Sequence, residues 1–273
     1  MSESSWRIIG IALGVISVFG ITGISAAYRF SRSWGRQYRF LRLHRTETLD
    51  IVLPTSERKR GGLGISYVRS MTSVGNMRGA TQIAQAVGRI SRTRRISVAV
   101  SEEIESRLQC DLVILGLPGK NAASRMVLGH LQARHPEIEL DIAEAAPPGC
   151  SISLAGHTEN YSFEKQPRGS AYPTRDVALI VVWANPLSLR RRRLLLCAGF
   201  TTYGTAAAAS YLVHELPDIE YKLLRKRYRE LPSLLSPRVW PCFAMLIEVM
   251  LINDQVVHRR RLAFTPLPDP RYD

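Results

Sequence analysis

The chain has 273 residues, 45% of them hydrophobic and 22% charged, which excludes wholesale disorder and leaves room for one large domain or two small ones. Its formal net charge of +14 calls for a negatively charged neighbour: anionic lipid, nucleic acid or a phosphorylated ligand. Cys110, Cys150, Cys197 and Cys242 are widely spaced with no C-x-x-C pair, which favours free thiols in a reducing compartment over a disulfide framework.

From Ile8 to Ala27 the sequence carries no charge for 20 residues. At about 1.5 Å per residue a helix of that length spans roughly 30 Å, the hydrocarbon core of a bilayer. Trp6 and Tyr28 flank it as interfacial anchors would, and Gly10 and Gly14 form a G-x-x-x-G spacing that lets two such helices associate into a homo-oligomer. Arg29, Arg32, Arg36, Arg39, Arg42 and Arg45 follow the run, against only Arg7, offset by Glu3, before it. The positive-inside rule therefore predicts a single-pass protein of the cell membrane with its C-terminal domain cytoplasmic. A cleaved secretory signal is the competing reading, since Ser25-Ala26-Ala27 supplies small residues. The long apolar run, the barely basic start and the arginines directly behind it favour a retained anchor.

These features divide the chain into an anchor (1–28), a basic juxtamembrane segment (29–48) and a cytoplasmic α/β domain (49–273). In the second part the arginines alternate with Phe30, Trp34, Tyr38, Phe40 and Leu41, as in a helix leaving the membrane with its cations at anionic lipid headgroups. Nucleic acid is the alternative partner for the same cluster.

Further along, short apolar runs alternate with helical spacing. Leu49–Pro54 reads as a strand, 57–64 as an exposed basic loop, Asn76–Arg92 as a helix, Ile96–Val100 as a strand and Glu102–Leu108 as a short helix or turn. Asp111–Gly116 is a buried strand, Asn121–Arg134 a helix ended by His135-Pro136, and Ile138–Ile142 another strand. Residues 145–173, rich in Pro, Gly and Ser, form a long excursion with one short hairpin. Strands at Val177–Ala184 and Arg193–Gly199 precede helices at Thr205–His214 and Asp218–Glu230, and Cys242–Ile252 with Val256–Phe264 closes the domain as a hairpin through Asn253-Asp254. This alternation predicts a mostly parallel three-layer α/β domain with a C-terminal antiparallel hairpin.

Two glycine loops stand out as candidate ligand sites. One is Gly116, Gly119, Lys120 and Asn121, and the other is Gly199, Thr202, Gly204 and Thr205. Each joins a strand to a helix, where ligands of open α/β sheets bind and where helix N–H groups suit an anion. Lys120 and Arg125 add charge, and Thr201, Thr202, Tyr203 and Thr205 add hydroxyls. Neither loop completes a P-loop or G-x-G-x-x-G pattern. The structural alternative weighs equally: Gly116 and Gly199 end strands, and Asn121 and Thr205 cap helices. Trp183–Ser188 is a third strand-end turn.

The order DLVILGLPGKN, DVALIVVWANP and LLLCAGFTTYGTAAAASYL resembles α/β domains of S-layer proteins and of uncharacterised membrane-anchored bacterial relatives. Those carry a strand closing in G-G-P-x-x-N and a later A-G-x-x-x-x-G-T-x-A-A element. Here Leu117 replaces the second glycine. The resemblance covers roughly Asp111–Leu212 and implies the fold, without a reaction or a cofactor.

The six histidines form no H-x-x-x-H or H-E-x-x-H group, and no G-x-S-x-G elbow is present. Glu102, Glu103 and Glu105 after a strand, and His157 with Glu159, are the candidate acid/base groups; a solvated helix start and a surface loop are their structural readings. The basic runs at Arg190–Arg193, Lys222–Arg229 and Arg259–Arg261 are separate solvated faces or a ring on the membrane-facing side. The sequence thus points to a membrane-anchored binding or regulatory module for a nucleotide, another anionic small molecule or a protein partner. The alternatives are an enzyme acting on a nucleotide or its glycosidic bond, and a nucleic-acid-binding protein.

Overall fold

A computed structural model describes residues 48–54, 56–62, 65–90, 95–100, 109–143, 149–162, 174–189, 192–216, 242–252 and 255–267. The expected anchor, the juxtamembrane segment up to residue 47, Glu102–Leu108 and Asp218–Glu230 lie outside the described residues. Among the described residues no helix is long and apolar enough to cross a membrane.

A seven-stranded sheet forms the centre. In chain order its strands are β1 (Leu49–Leu53), β4 (Ile96–Val100), β5 (Asp111–Leu115), β9 (Arg175–Ala184), β10 (Arg193–Gly199), β11 (Phe243–Ile252) and β12 (Gln255–Pro266). They lie side by side as β12-β11-β9-β10-β5-β1-β4. A separate hairpin pairs β2 (Ser56–Gly62) with β3 (Ile65–Met71), and β6 (Asp141–Ala143), β7 (Gly149–Leu154) and β8 (His157–Ser162) make a small antiparallel sheet.

The expectation of a mostly parallel sheet is corrected. β4, β1, β5 and β10 are parallel neighbours, but β9 runs antiparallel to both β10 and β11, and β11 to β12. The reason lies in the connection from β9 to β10, which is only residues 185–192. A parallel return needs a crossover of about a dozen residues or more, so a link this short turns the chain straight back. The misleading signal was the continuous apolar run of β9. Burial on both faces removes the alternation that marks most antiparallel strands.

The basic stretch 57–64, expected as a loop, is likewise mostly strand, pairing Ser56↔Met71 through Gly62↔Ile65. The expected strand at Ile138–Ile142 is instead a 3₁₀ turn (Pro136–Ile138) followed by the three residues of β6. The long excursion does hold a hairpin, β7–β8.

Period-two alternation divides the core into two layers. On the first face, Leu49, Ile51, Leu53, Val113 and Leu115 meet helix α1 (Val74–Ile90) through Ala80, Ile83 and Val87, and helix α3 (Thr202–Ser210) through Ala207, Ala208 and Ala209. On the second, Val52, Leu112, Ile114, Leu179 and Trp183 meet helix α2 (Ala122–Arg134) through Val127, Leu128 and Leu131, together with Ile152 and Leu154 of the small sheet. Small residues let α1 and α3 approach closely: a Cβ built on Gly79 would lie 3.3 Å from that of Ala209. After Ser210 helix α3 widens into a π turn, Tyr211–Glu215, whose Glu215 carboxylate accepts from Arg259 of β12.

Candidate functional site

The two glycine loops stand at neighbouring strand ends, because β5 and β10 are parallel with Leu115 opposite Cys197. Their helices leave to opposite faces of the sheet, α2 to the second and α3 to the first. That divergence makes the strand-end region a topological switch point, where open α/β sheets hold ligands.

At the second loop the anion position is already filled from within. Asp176, at the start of β9 and 0% exposed, reaches the first turn of α3. Its carboxylate accepts from the N–H groups of Val177 (2.7 Å), Thr201 (3.1 Å) and Gly204 (2.9 Å) and from the Thr201 hydroxyl. Burial nevertheless pushes its pKa up to about 7, against these hydrogen bonds, which favour the charged form. Thr201 is the N-cap, with its hydroxyl oxygen 3.2 Å from the Tyr203 nitrogen that donates to it. Thr205, expected as the cap, instead ties the loop together: its hydroxyl accepts from Gly199 N–H (2.9 Å) and donates to the Thr201 carbonyl (3.2 Å). A Cβ on Gly199 would come within 2.4 Å of the Thr205 nitrogen.

The first loop is laced by Asn121. Only 1% exposed, it caps α2 by accepting from the N–H groups of Ala123 (3.0 Å) and Ser124 (3.3 Å), while its amide donates to the Leu115 carbonyl (2.8 Å). The Ser124 hydroxyl donates to the Gly116 carbonyl (2.6 Å), and Gly116 N–H to the Cys197 carbonyl (2.9 Å). Gly116 is required twice over: its φ is +97°, and a Cβ would touch Pro54 Cγ at 3.0 Å. Lys120 is exposed, its N–H bonded to the Leu117 carbonyl (3.0 Å), and the Arg125 guanidinium donates to the Pro118 carbonyl (3.3 Å).

Two polar atoms nearby lack partners. The Oδ1 of Asn76, a residue 3% exposed in the first turn of α1, and the buried Oγ1 of Thr72 accept no hydrogen bond. Gly75 between them abuts α3, where a Cβ would lie 2.3 Å from the Thr202 carbonyl oxygen. No protein-family model, curated protein or solved structure matches the chain.

The other candidates fall elsewhere. His157 and Glu159 do meet at 3.0 Å, but Glu159 also binds Arg175 at 2.9 Å. Arg175 in turn binds Glu248 (2.5 Å), and Glu248 binds Arg260 (2.9 Å). The result is an ion-pair chain joining the small sheet to the central one. Glu102, Glu103 and Glu105 lie outside the described residues. Among the described residues no three His, Cys, Asp or Glu side chains group as a metal site. None of the four cysteines is in a disulfide.

Sequence reading missed Asp176, whose place before an apolar run marks it only as a strand start. It also missed a buried polar group where the parallel strands begin. There the Cys110 thiol donates to Asp50 (3.1 Å), and Asp111 accepts from Arg193 N–H (2.7 Å). Burial, then the hydrogen bond to Asp50, pushes the Cys110 thiol up to about 12, so it stays protonated as a donor.

Proposed function

We propose that the chain is a single-pass, membrane-anchored interaction module: residues 8–27 span the bilayer, the following arginines meet anionic headgroups on the cytoplasmic side, and the α/β domain serves as a binding scaffold. One observation carries the scaffold part of this reading. The N–H donors of α3 that an anionic ligand would need are held by Asp176, and the other loop is held by Asn121. A nucleotide phosphate at α3 would have to displace a buried carboxylate from its own hydrogen bonds, a loss that binding must first make good.

The test uses the full chain in detergent, melted with and without adenine and guanine nucleotides. Unchanged melting is expected. A nucleotide-dependent rise that disappears in Lys120→Ala would return the first loop to ligand binding. Extraction of expressing membranes with alkaline carbonate tests the anchor, and the chain is expected to stay in the pellet.

A second reading, recognition of a small polar ligand, is favoured by the unpartnered Asn76 and Thr72 oxygens on either side of Gly75 in the chain, since buried polar atoms normally find a partner. It predicts a ligand-induced rise in melting temperature that Asn76→Ala abolishes.

A further inference from the structure

The end of the sheet opposite the glycine loops is where the chain arrives from its N-terminal 48 residues. β1, β4, β5 and β10 all begin there, and β9 ends there, with Ala184 opposite Arg193. The turn from β9 to β10 is firmly held. Asn185 donates to the Cys110 carbonyl (2.8 Å) and Ser188 to the Gln109 carbonyl (3.0 Å). The Gln109 side chain donates to the Leu187 carbonyl (2.9 Å) and accepts from Leu189 N–H (3.0 Å). Yet this pinned turn holds Leu189 97% exposed, the most exposed of the large hydrophobic side chains among the described residues.

An exposed cation stands at the strand starts of this end. Arg95 is exposed, and its carbonyl accepts from Leu49 N–H (2.9 Å), so it stands beside the point where the chain enters β1. Asp50 and Asp111, the acids of the neighbouring strand starts, are buried. In the sequence Leu189 is followed by Arg190 and Arg191. Arg95 and the Leu189 turn are three to four strand spacings apart, roughly 14–19 Å at about 4.8 Å per strand. The exposed carboxylates of Glu137 and Glu139 lie at this end too, in the turn that closes α2 on the second face, after the exposed Arg134, where His135 packs against Trp183.

We propose that this end of the sheet docks on the anionic surface of the bilayer that anchors the chain, with Leu189 inserted among the lipids and Arg95 against their headgroups. This rests on the anchor reading above. Attachment alone does not bring about the docking, because residues 28–48 fully extended would reach about 70 Å. A leucine projecting from a rigid turn costs little ordering entropy to insert, and a neighbouring cation gains from anionic headgroups.

The experiment places full-length Leu189→Cys in vesicles of phosphatidylcholine, with or without phosphatidylserine, and follows labelling by a water-soluble maleimide. The unsubstituted chain supplies the background from its own cysteines. Ile252→Cys, at the tip of the β11–β12 hairpin on the far end of the sheet, is the control. Labelling of Leu189→Cys is expected to slow severalfold on phosphatidylserine vesicles, to recover in high salt or with Arg95→Glu, and to leave Ile252→Cys unaffected. Equal labelling on both lipids, with the chain still resistant to carbonate extraction, overturns the docking and leaves the anchor standing. Release by carbonate overturns the anchor and the docking with it. Slowing caused by added RNA in place of lipid overturns the choice of partner.

Discussion

The carboxylate of Asp176 occupies the space a side chain on Gly204 would need: a Cβ there would fall 2.4 Å from its Oδ2. The two residues are 28 positions apart and meet only because β9 is antiparallel to β10. Gly204→Ala is therefore expected to destabilise the fold by about 1–3 kcal/mol, the usual cost of overpacking. Because the clash is with one side chain, Gly204→Ala added to Asp176→Ala should cost less than the sum of the single changes. Denaturant unfolding of the four proteins checks this, and strict additivity would show that Asp176 does not fill that space.

Asp176 also sets a pH dependence. Its folded pKa, about 7, stands above the ordinary 3.8, so between those values the native state holds a proton that the unfolded state has released. The stabilisation is fully present below the unfolded value and is lost as pH rises through about 7. A shift of this size corresponds to about 4 kcal/mol at most. The denaturation midpoint should fall from about pH 5 to about pH 8, and Asp176→Asn should flatten that slope. An identical slope in the variant would assign it to another group.

At the first loop, Asn121 acts both as acceptor and as donor. Asn121→Ala should cost about 1–3 kcal/mol, since it removes a helix cap and strands the buried Leu115 carbonyl. Asn121→Asp keeps the cap but sets an oxygen where the amide donated to that carbonyl at 2.8 Å, so it should recover little of the loss. Full recovery by Asp, read from thermal melts, would mean the cap alone matters.

Strands and helices with a strong apolar period were legible from sequence: β1, β5, α1, α2 and the β11–β12 hairpin stand where the pattern places them. Sheet direction was not. β9 and β5 are both continuous apolar runs, and only the short link before β10 separates an antiparallel strand from a parallel one. At the candidate site the sequence located the glycines and the Asn121 cap. It could not show that Asp176 arrives from a strand 28 residues away to fill the second loop, because local spacing carries no information about such a meeting. His157 and Glu159 were legible as a pair, but their third partner, Arg175, becomes a neighbour only through the packing of the small sheet.

That packing yields the last prediction. Arg175 bridges Glu159 on β8 and Glu248 on β11, two carboxylates that would otherwise face each other across the joint. Its side chain is 46% exposed, so the whole-molecule effect of Arg175→Leu should be about 1 kcal/mol or less, with the coupling weakened by solvent. The local effect should be larger. Amides of β7 and β8 should exchange faster while those of β9 and β10 stay protected, because the ion-pair chain fastens the small sheet rather than the core. Lysine at this position should recover only part of the protection, since an ammonium lacks the two separated donors that reach both carboxylates. Arg175 holds the Glu248 carboxyl below the ordinary carboxylate range, so this stabilisation persists above the unfolded pKa and disappears as pH falls through the lowered folded one. Unchanged exchange in β7 and β8 at neutral pH would show that apolar contacts of Ile152 and Leu154 hold the small sheet without the ions.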